Sequence, residues 1–459
     1  MKYLVVLMIT ISTFFFFDQF SNKNIRELAS VGDHHAYLLG DGKEALQARM
    51  DILNDPDLRR ISFTTYIFDQ TDEIALLHAK KWIELARRGV AVNLIFDGTN
   101  FDPLTEPKLS RAMIYLLQDA GANVFIFRPT RSIDHMSGFH KRMHDKLIIA
   151  ETSSGPEWLI TGGRNLQKRY FGLDRPELNN IDYDALIRGT SVNDASAYFR
   201  NLIAEDSVEL FPRLSFGEFN EFEHQQLVQQ MQHIEEVVIE RGWVERSARN
   251  WNEMIERVDD IRFIHNTFSP NYQTGIMQHF TEMLRLTVDQ FFSDAQYFLP
   301  TEEVYRELYD ASWKTNALNQ PVKYNFITNG LHSSYYQKDW PVIDGLYYEL
   351  DRYQDFGPGF NLGALDGPGK IHSKLAVRDG SECLVWSANI DPRSQSLNLE
   401  TGVRIRGRSF CMKAQNELQA RSEQSLPLYR DGMRVNWSSP KSCQSLMMGL
   451  MFRIFRPML

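Results

Sequence analysis

The sequence is poor in cysteine, with three in 459 residues, Cys383, Cys411 and Cys443. So few, so far apart, make neither a disulfide framework nor a cysteine-held metal cluster. Cys383 lies in an apolar strand-like run and is expected as a small buried side chain. A basic excess is also missing: 50 Lys and Arg stand against 59 Asp and Glu, a net charge of −9. That balance argues against a general binder of phosphate backbones, so no nucleic-acid partner is expected, although a local basic pocket remains open. No complete phosphate-binding loop is present. "GDGKEALQA" (40–48) has a Gly-x-Gly-Lys beginning without the required spacing and reads as a turn and helix start. His140 and His144 have a zinc-like spacing only if they share a helix, and the residues that follow read as a strand. No metal and no cofactor are expected.

Long apolar runs are confined to the two ends. Tyr3–Phe17 is unbroken by charge, short for a full membrane span and of the length of a signal core, so residues 1–30 read as a signal peptide or signal anchor. "ELAS", ending at Ser30, is a weak cleavage candidate. The apolar, arginine-bearing segment 436–459 reads equally well as an interfacial segment or as a helix docked on the core. A membrane-associated or exported protein is expected.

What is present is an order of elements that occurs twice. "ISFTTYIF" (61–68) reads as a strand, 72–89 as a helix stopped by Gly89, and "VAVNLIFDG" (90–98) as a buried strand. In the second half, 294–300 reads as a strand, 301–317 as a helix opened by a capping-box-like Thr301, and 321–330 as a strand. Such βαβ units imply parallel sheets. The acidic, Gln-rich stretch between the halves reads as one or two helices, an insertion or inter-domain arm, with its charges on a solvated face.

The chemistry-bearing residues repeat in the same order. His144 and Lys146 are followed, after four intervening residues, by Glu151; His372 and Lys374 are followed likewise by Asp379. His144 and His372 are 228 residues apart, and Val92 and Val322 are 230 apart. Each set leads into a small-residue turn, "LITGGRN" with Gly163 and Asn165, and "LVWSANI" with Ser387 and Asn389. Further on, "DYDALIRG" aligns with "ETGVRIRG", which sets Asp182 opposite Glu400. Alternation puts His144 and Lys146 on one strand face and Asp145, a spectator by that reading, on the other. Tyr66 could line a pocket, but packing is the better expectation for an aromatic residue on a core strand.

This pair of motifs resembles the phospholipase D superfamily, marked by a duplicated His-x-Lys-x4-Asp followed by Gly-Ser-x-Asn. "ARRGVAVNLIFDG", "ITGGRN" and "SANIDPRSQSLNLETG" are most similar to bacterial cardiolipin synthases and related phosphatidyltransferases. The resemblance implies an α/β fold: two similar α/β/α sandwich domains related by a pseudo-twofold, with the active site at their interface. The expected divisions are a first domain at 31–214, a helical insertion or linker at 215–264 and a second domain at 265–435. It implies an enzyme in which one histidine attacks phosphorus and the other is general acid and base, with His144 the nucleophile. Lys146, Lys374, Asn165 and Asn389 would hold the phosphate, and Asp182 and Glu400 would orient the rings. The motif acids Glu151 and Asp379 would be structural, and Gly163 and Ser387 would line the phosphate pocket. Gly163 departs from the motif's Ser, Trp386 from its Gly and Glu151 from its Asp. The implied partners are phospholipids, phosphatidylglycerol first among them, at a membrane surface. Hydrolysis to phosphatidic acid, or less readily nuclease activity, would use the same residues. Two motifs in one chain let a monomer hold a complete site.

Overall fold

The computed structural model describes residues 33–101, 108–127, 141–266, 275–333 and 349–435. The expected signal segment, the apolar C-terminal segment, His140 and Cys443 lie outside the described residues. Among the described residues no helix is long and apolar enough to cross a membrane.

The first half runs β1 (His35–Leu39), α1 (Gly42–Leu53), β2 (Leu58–Thr65), α2 (Glu73–Arg87), β3 (Ala91–Asp97), α3 (Arg111–Asp119), β4 (Asn123–Phe127), β5 (Arg142–Met143), β6 (Leu147–Thr152), β7 (Gly155–Gly162), β8 (Asn180–Ile181), β9 (Asp184–Arg188), α4 (Ser191–Ile203) and β10 (Val208–Leu210). α5 (Glu221–Glu240) and β11 (Glu256–Arg257) follow. The second half runs β12 (Asp260–His265), α6 (Ile276–Leu286), β13 (Gln290–Asp294), α7 (Glu302–Ser312), β14 (Lys323–Ser333), β15 (Phe360–Gly367), β16 (Lys370–Ile371), β17 (Leu375–Arg378), β18 (Glu382–Trp386), β19 (Asn398–Leu399), β20 (Thr401–Arg406), α8 (Arg408–Gln424), β21 (Leu426–Arg430) and β22 (Met433–Arg434).

Two nine-stranded mixed sheets result. The first has the order β10-β4-β3-β2-β6-β7-β9-β1-β11, and the second, read from one edge, β22-β21-β15-β14-β13-β17-β18-β20-β12. Strand for strand, β2, β3 and β4 correspond to β13, β14 and β15, parallel in both. The antiparallel runs β6-β7-β9-β1 and β17-β18-β20-β12 correspond as well. β12 lies inside the segment expected as connector, so the second sheet takes up the chain at Asp260.

The central strands are buried on both faces, as mixed sheets covered by helices require. Along β6, Ile148 and Ala150 pack outward under α1, α2 and α3, while Leu147 and Ile149 point inward. Along β17, Ala376 points outward and Leu375 and Val377 inward. The inward sets meet in one apolar core that joins the two halves, with Ile187 and Phe199 from the first and Val385 and Val403 from the second.

Three readings change at this level. The expected strand at 294–300 ends at Asp294, its first residue, and begins earlier, at Gln290. Phe298 instead makes a single parallel bridge to Ile390, and Pro300 has no N–H for a ladder. The arm between the halves keeps an exposed polar face, but its other face is docked: Leu227, Met231, Ile234 and Val238 of α5 join the core of the first half. Lys80 and Glu235 anchor its polar side at 2.7 Å. Finally, Cys383 is buried as expected, but Cys411 of α8 lies against it and the two form a disulfide, Cα–Cα 5.6 Å. Residues 28 apart in sequence gave no spacing signal for this pair.

Candidate active site

Two short parallel ribbons cross between the halves and build the site. β5 pairs with β19, with Arg142 beside Asn398 and Met143 beside Leu399. β16 pairs with β8, with Lys370 beside Asn180 and Ile371 beside Ile181. Each ribbon then delivers a histidine on one strand and a carboxylate on the other. The His144 N–H donates to the Leu399 carbonyl at 2.9 Å, and the His372 N–H to the Ile181 carbonyl at 2.9 Å. This register brings His144 Nδ1 to 2.8 Å from Glu400 Oε2, and His372 Nδ1 to 2.6 Å from Asp182 Oδ2. Both dyads are therefore crossed: each histidine comes from one half and its carboxylate from the other. With Nδ1 committed as donor, Nε2 is the nitrogen left for chemistry.

The lysines lie two residues on, on the same strand face. Lys146 Nζ donates to the His144 carbonyl at 2.6 Å, and Lys374 Nζ to the carbonyl of His372. Asn165 Oδ1 accepts from the Ile67 N–H at 3.2 Å, and the Asn389 N–H donates to Ser394 Oγ at 3.0 Å. His144, Lys146, Asn165, Asp182, His372, Lys374, Asn389 and Glu400 are all buried. Among the described residues no group of three or more His, Cys, Asp or Glu could hold a metal ion.

The carboxylates are supported differently. Glu400 accepts from Ser387 Oγ at 2.5 Å, Ser394 Oγ at 2.9 Å and Asn398 Nδ2 at 3.2 Å. Asp182 accepts from the Tyr183 N–H at 3.0 Å, and its own carbonyl is held by Arg164 Nη2 at 2.5 Å. Arg164 also donates to the carbonyls of Leu39, Gly40 and Tyr170 and to Asp184. Gly163 has no room for the serine of the motif, because a Cβ there would lie 2.0 Å from Asp182 Oδ1.

The motif acids stand away from the histidines. Glu151, at the far end of β6, accepts from Ser196 Oγ at 2.6 Å and Arg60 Nη1 at 3.1 Å. Asp379, in left-handed backbone (φ 50), accepts from the N–H groups of Asp289 and Gln290 at 2.9 and 3.0 Å. Asp145 does face away from the reaction side, but it is fully buried and accepts from the Tyr198 hydroxyl at 2.5 Å. Tyr66 is no ordinary packed aromatic: its ring meets His144 edge-on at 4.9 Å, and Lys146 Nζ lies 5.8 Å from its centre. Tyr170 does the same to His372 at 4.8 Å. Tyr170 carried no motif signal, and Arg164, Ser394 and Asn398 lay within the quoted motif strings without being singled out. Their lead was position only, within a few residues of Asn165, Asn389 and Glu400.

Burial dominates the electrostatics. It pushes both imidazoles well below their ordinary value, and the two lysine charges add to the effect. It raises Asp182, and it raises Glu400 to about 7 against the pull of Lys146. It lowers Lys146 to about 7 and Lys374 to about 8. The result is neutral imidazoles beside cations that titrate near neutrality.

Two α/β domains that each bring a His-x-Lys pair to a shared interface have the architecture of the phospholipase D superfamily. The family model described as "Cardiolipin synthase, PLD-like domain" matches residues 51–203 and 290–421, well over half of the chain. The chain belongs to this family and is an enzyme of the phospholipase D superfamily. An uncharacterised protein of Helicobacter pylori strain J99 is 25% identical, covering 91% of this chain and 84% of its own length. Cardiolipin synthase B of Escherichia coli K12 is 24% identical, covering 81% of this chain and 76% of its own. In fold, the chain is similar to a crystal structure of phosphatidylserine synthase from Haemophilus influenzae. The TM-score is 0.64 at 11% identity, over 92% of this chain and 95% of that one.

Proposed function

We propose that the protein is a phosphatidyltransferase of cardiolipin synthase type, working through a phosphohistidine. The crossed pair of dyads is the observation that carries this reading. Neutral His144 attacks the phosphorus of phosphatidylglycerol through Nε2, and the bond from phosphorus to the glycerol headgroup oxygen breaks. His372, recharged by the incoming anion and by Asp182, gives its proton to the departing glycerol. It then takes a proton from a hydroxyl of a second phospholipid, whose oxygen displaces His144 from phosphorus. Lys146, Lys374, Asn165 and Asn389 donate to the phosphoryl oxygens as charge builds there. Glu400 and Asp182 hold the rings in the reactive tautomer. A monomer suffices, because one chain carries both dyads.

The substrate places the enzyme at a membrane surface. The apolar leader supports export, and a disulfide in the second half is the chemistry of an oxidising compartment. The test is incubation of the purified protein with phosphatidylglycerol vesicles in chelator, with the lipids resolved by mass spectrometry. Cardiolipin plus glycerol is the expected product. Phosphatidic acid alone makes the protein a hydrolase, and cleavage of single-stranded DNA without lipid turnover overturns both.

A further inference from the structure

The two ribbons carry more than the dyads. Two residues before each histidine stands a cation, Arg142 or Lys370, and two residues before each orienting carboxylate stands an asparagine, Asn398 or Asn180. The ribbons set these in register, Arg142 beside Asn398 and Lys370 beside Asn180. Strand alternation puts each pair on the same face as the His–carboxylate dyad beyond it. The asparagines are used differently. Asn398 spends its amide on Glu400. Asn180 sits at the equivalent place before Asp182 and is only 6% exposed, yet neither its Nδ2 nor its Oδ1 meets a protein partner. A buried amide with both ends unsatisfied is destabilising, and a ligand that met it would remove that cost. Lys370 across from it is 8% exposed, against 5% for His372 itself, while the Asn180 amide is covered. Lys370 is also close enough to depress the His372 imidazole.

We propose that Asn180 and Lys370 form a second anion subsite beside His372, which receives the phosphate of the accepting phospholipid. This rests on the transferase reading and names what the acceptor must carry. Two residues of strand span about 7 Å. That is comparable with the three-carbon bridge between two phosphates on one glycerol. An acceptor whose phosphate is held by the Lys370 ammonium and the Asn180 amide would then present its free glycerol hydroxyl to His372. An uncharged alcohol or water would gain nothing from the pair. The subsite therefore favours transfer to an anionic phospholipid over hydrolysis.

The test compares two products from phosphatidylglycerol vesicles containing ethanol: cardiolipin, whose acceptor bears a phosphate, and phosphatidylethanol, whose acceptor does not. In Asn180→Ala and Lys370→Gln, cardiolipin formation is expected to fall at least about tenfold relative to phosphatidylethanol, and Lys370→Arg is expected to restore most of it. Parallel loss of both products, or loss of neither, overturns the subsite. A binding measurement separates this from failure of the transferase reading. Glycerol 1,3-bisphosphate should bind the wild type at least about tenfold more tightly than glycerol 1-phosphate by calorimetry, and Asn180→Ala should abolish that ratio. An equal ratio in wild type and variant overturns the subsite whatever the enzyme acts on. A wild type that shows the ratio but makes no cardiolipin overturns the transferase reading and leaves the subsite standing.

Discussion

The two halves build the same dyad from different material. At the turn after β18, Ser387 fills the corner and reaches a long acid, Glu400. At the turn after β7, Gly163 leaves the corner to a short acid, Asp182, which occupies the space a side chain would need. One position earlier the exchange runs across the ladder. Trp386 faces Gly402 in the second sheet, whereas Gly162 faces Asp184 in the first. Where the second half has Ala388, the first has Arg164, which spreads five bonds over four carbonyls and Asp184. So side-chain hydroxyls and an amide fix one carboxylate, and an arginine that clamps the backbone fixes the other. The departures from the motif are matched pairs, and they are consistent with a working site rather than a decaying one.

The comparison can be broken from its centre outward. His144→Ala and His372→Ala should each lower lipid turnover by about 10⁴-fold or more, read by mass spectrometry of the products. Activity above one part in a hundred in either variant would defeat the paired mechanism. Gly163→Ser, which restores the motif, should lower activity by about 100-fold because its Cβ displaces Asp182. The mirror change Ser387→Gly leaves a lone pair of Glu400 unmet and should cost about tenfold. If Gly163→Ser proved as active as the wild type, the matched-pair account would be wrong. Arg164→Ala should lower unfolding free energy by about 3 kcal/mol in urea melts, since several buried carbonyls lose their donor and Asp184 keeps Arg49 as its only guanidinium partner. The lysines predict a pH profile. Both are cations below their lowered values of about 7 and 8, so kcat/KM should fall as pH rises through that window. Lys146→Arg, which replaces the cation lost first, should carry the alkaline limb upward towards about 8, and a limb that stays in place would assign it elsewhere. Smallest of all, Glu151→Asp should change activity less than about twofold, because the residue meets only Arg60, Arg200 and Ser196 at a strand end.

Much of this was legible in the sequence. Apolar and β-branched runs and their repeat indicated the strands at 61–68, 90–98 and 321–330, and Thr301 announced a helix that the structure caps with its side chain. The histidines, lysines and carboxylates were legible because their order recurs. What stayed hidden depends on contacts between the halves. No local pattern says that His144 will find Glu400 rather than Asp182, that Tyr66 will turn its ring to His144, or that Cys411 will meet Cys383. The strand misplaced at 294–300 shows the same limit, since apolar content there serves a loop bridging to Ile390. One signal was overlooked: Arg142-Met-His144-Asp-Lys146 and Lys370-Ile-His372-Ser-Lys374 share a cation two places before the histidine.

The crossed dyads also bear on the order of events during synthesis. His144 waits for an acid 256 residues further along, and Asp182 waits for a histidine 190 residues further along. Domains fold as they emerge from the ribosome, the N-terminal one first. The first half can thus be complete in its own sheet while neither histidine yet has its carboxylate. A nascent chain holds neither dyad until the second half has emerged and the halves have docked. Both dyads await the same docking, and the histidine of neither is paired with its carboxylate in the first half alone.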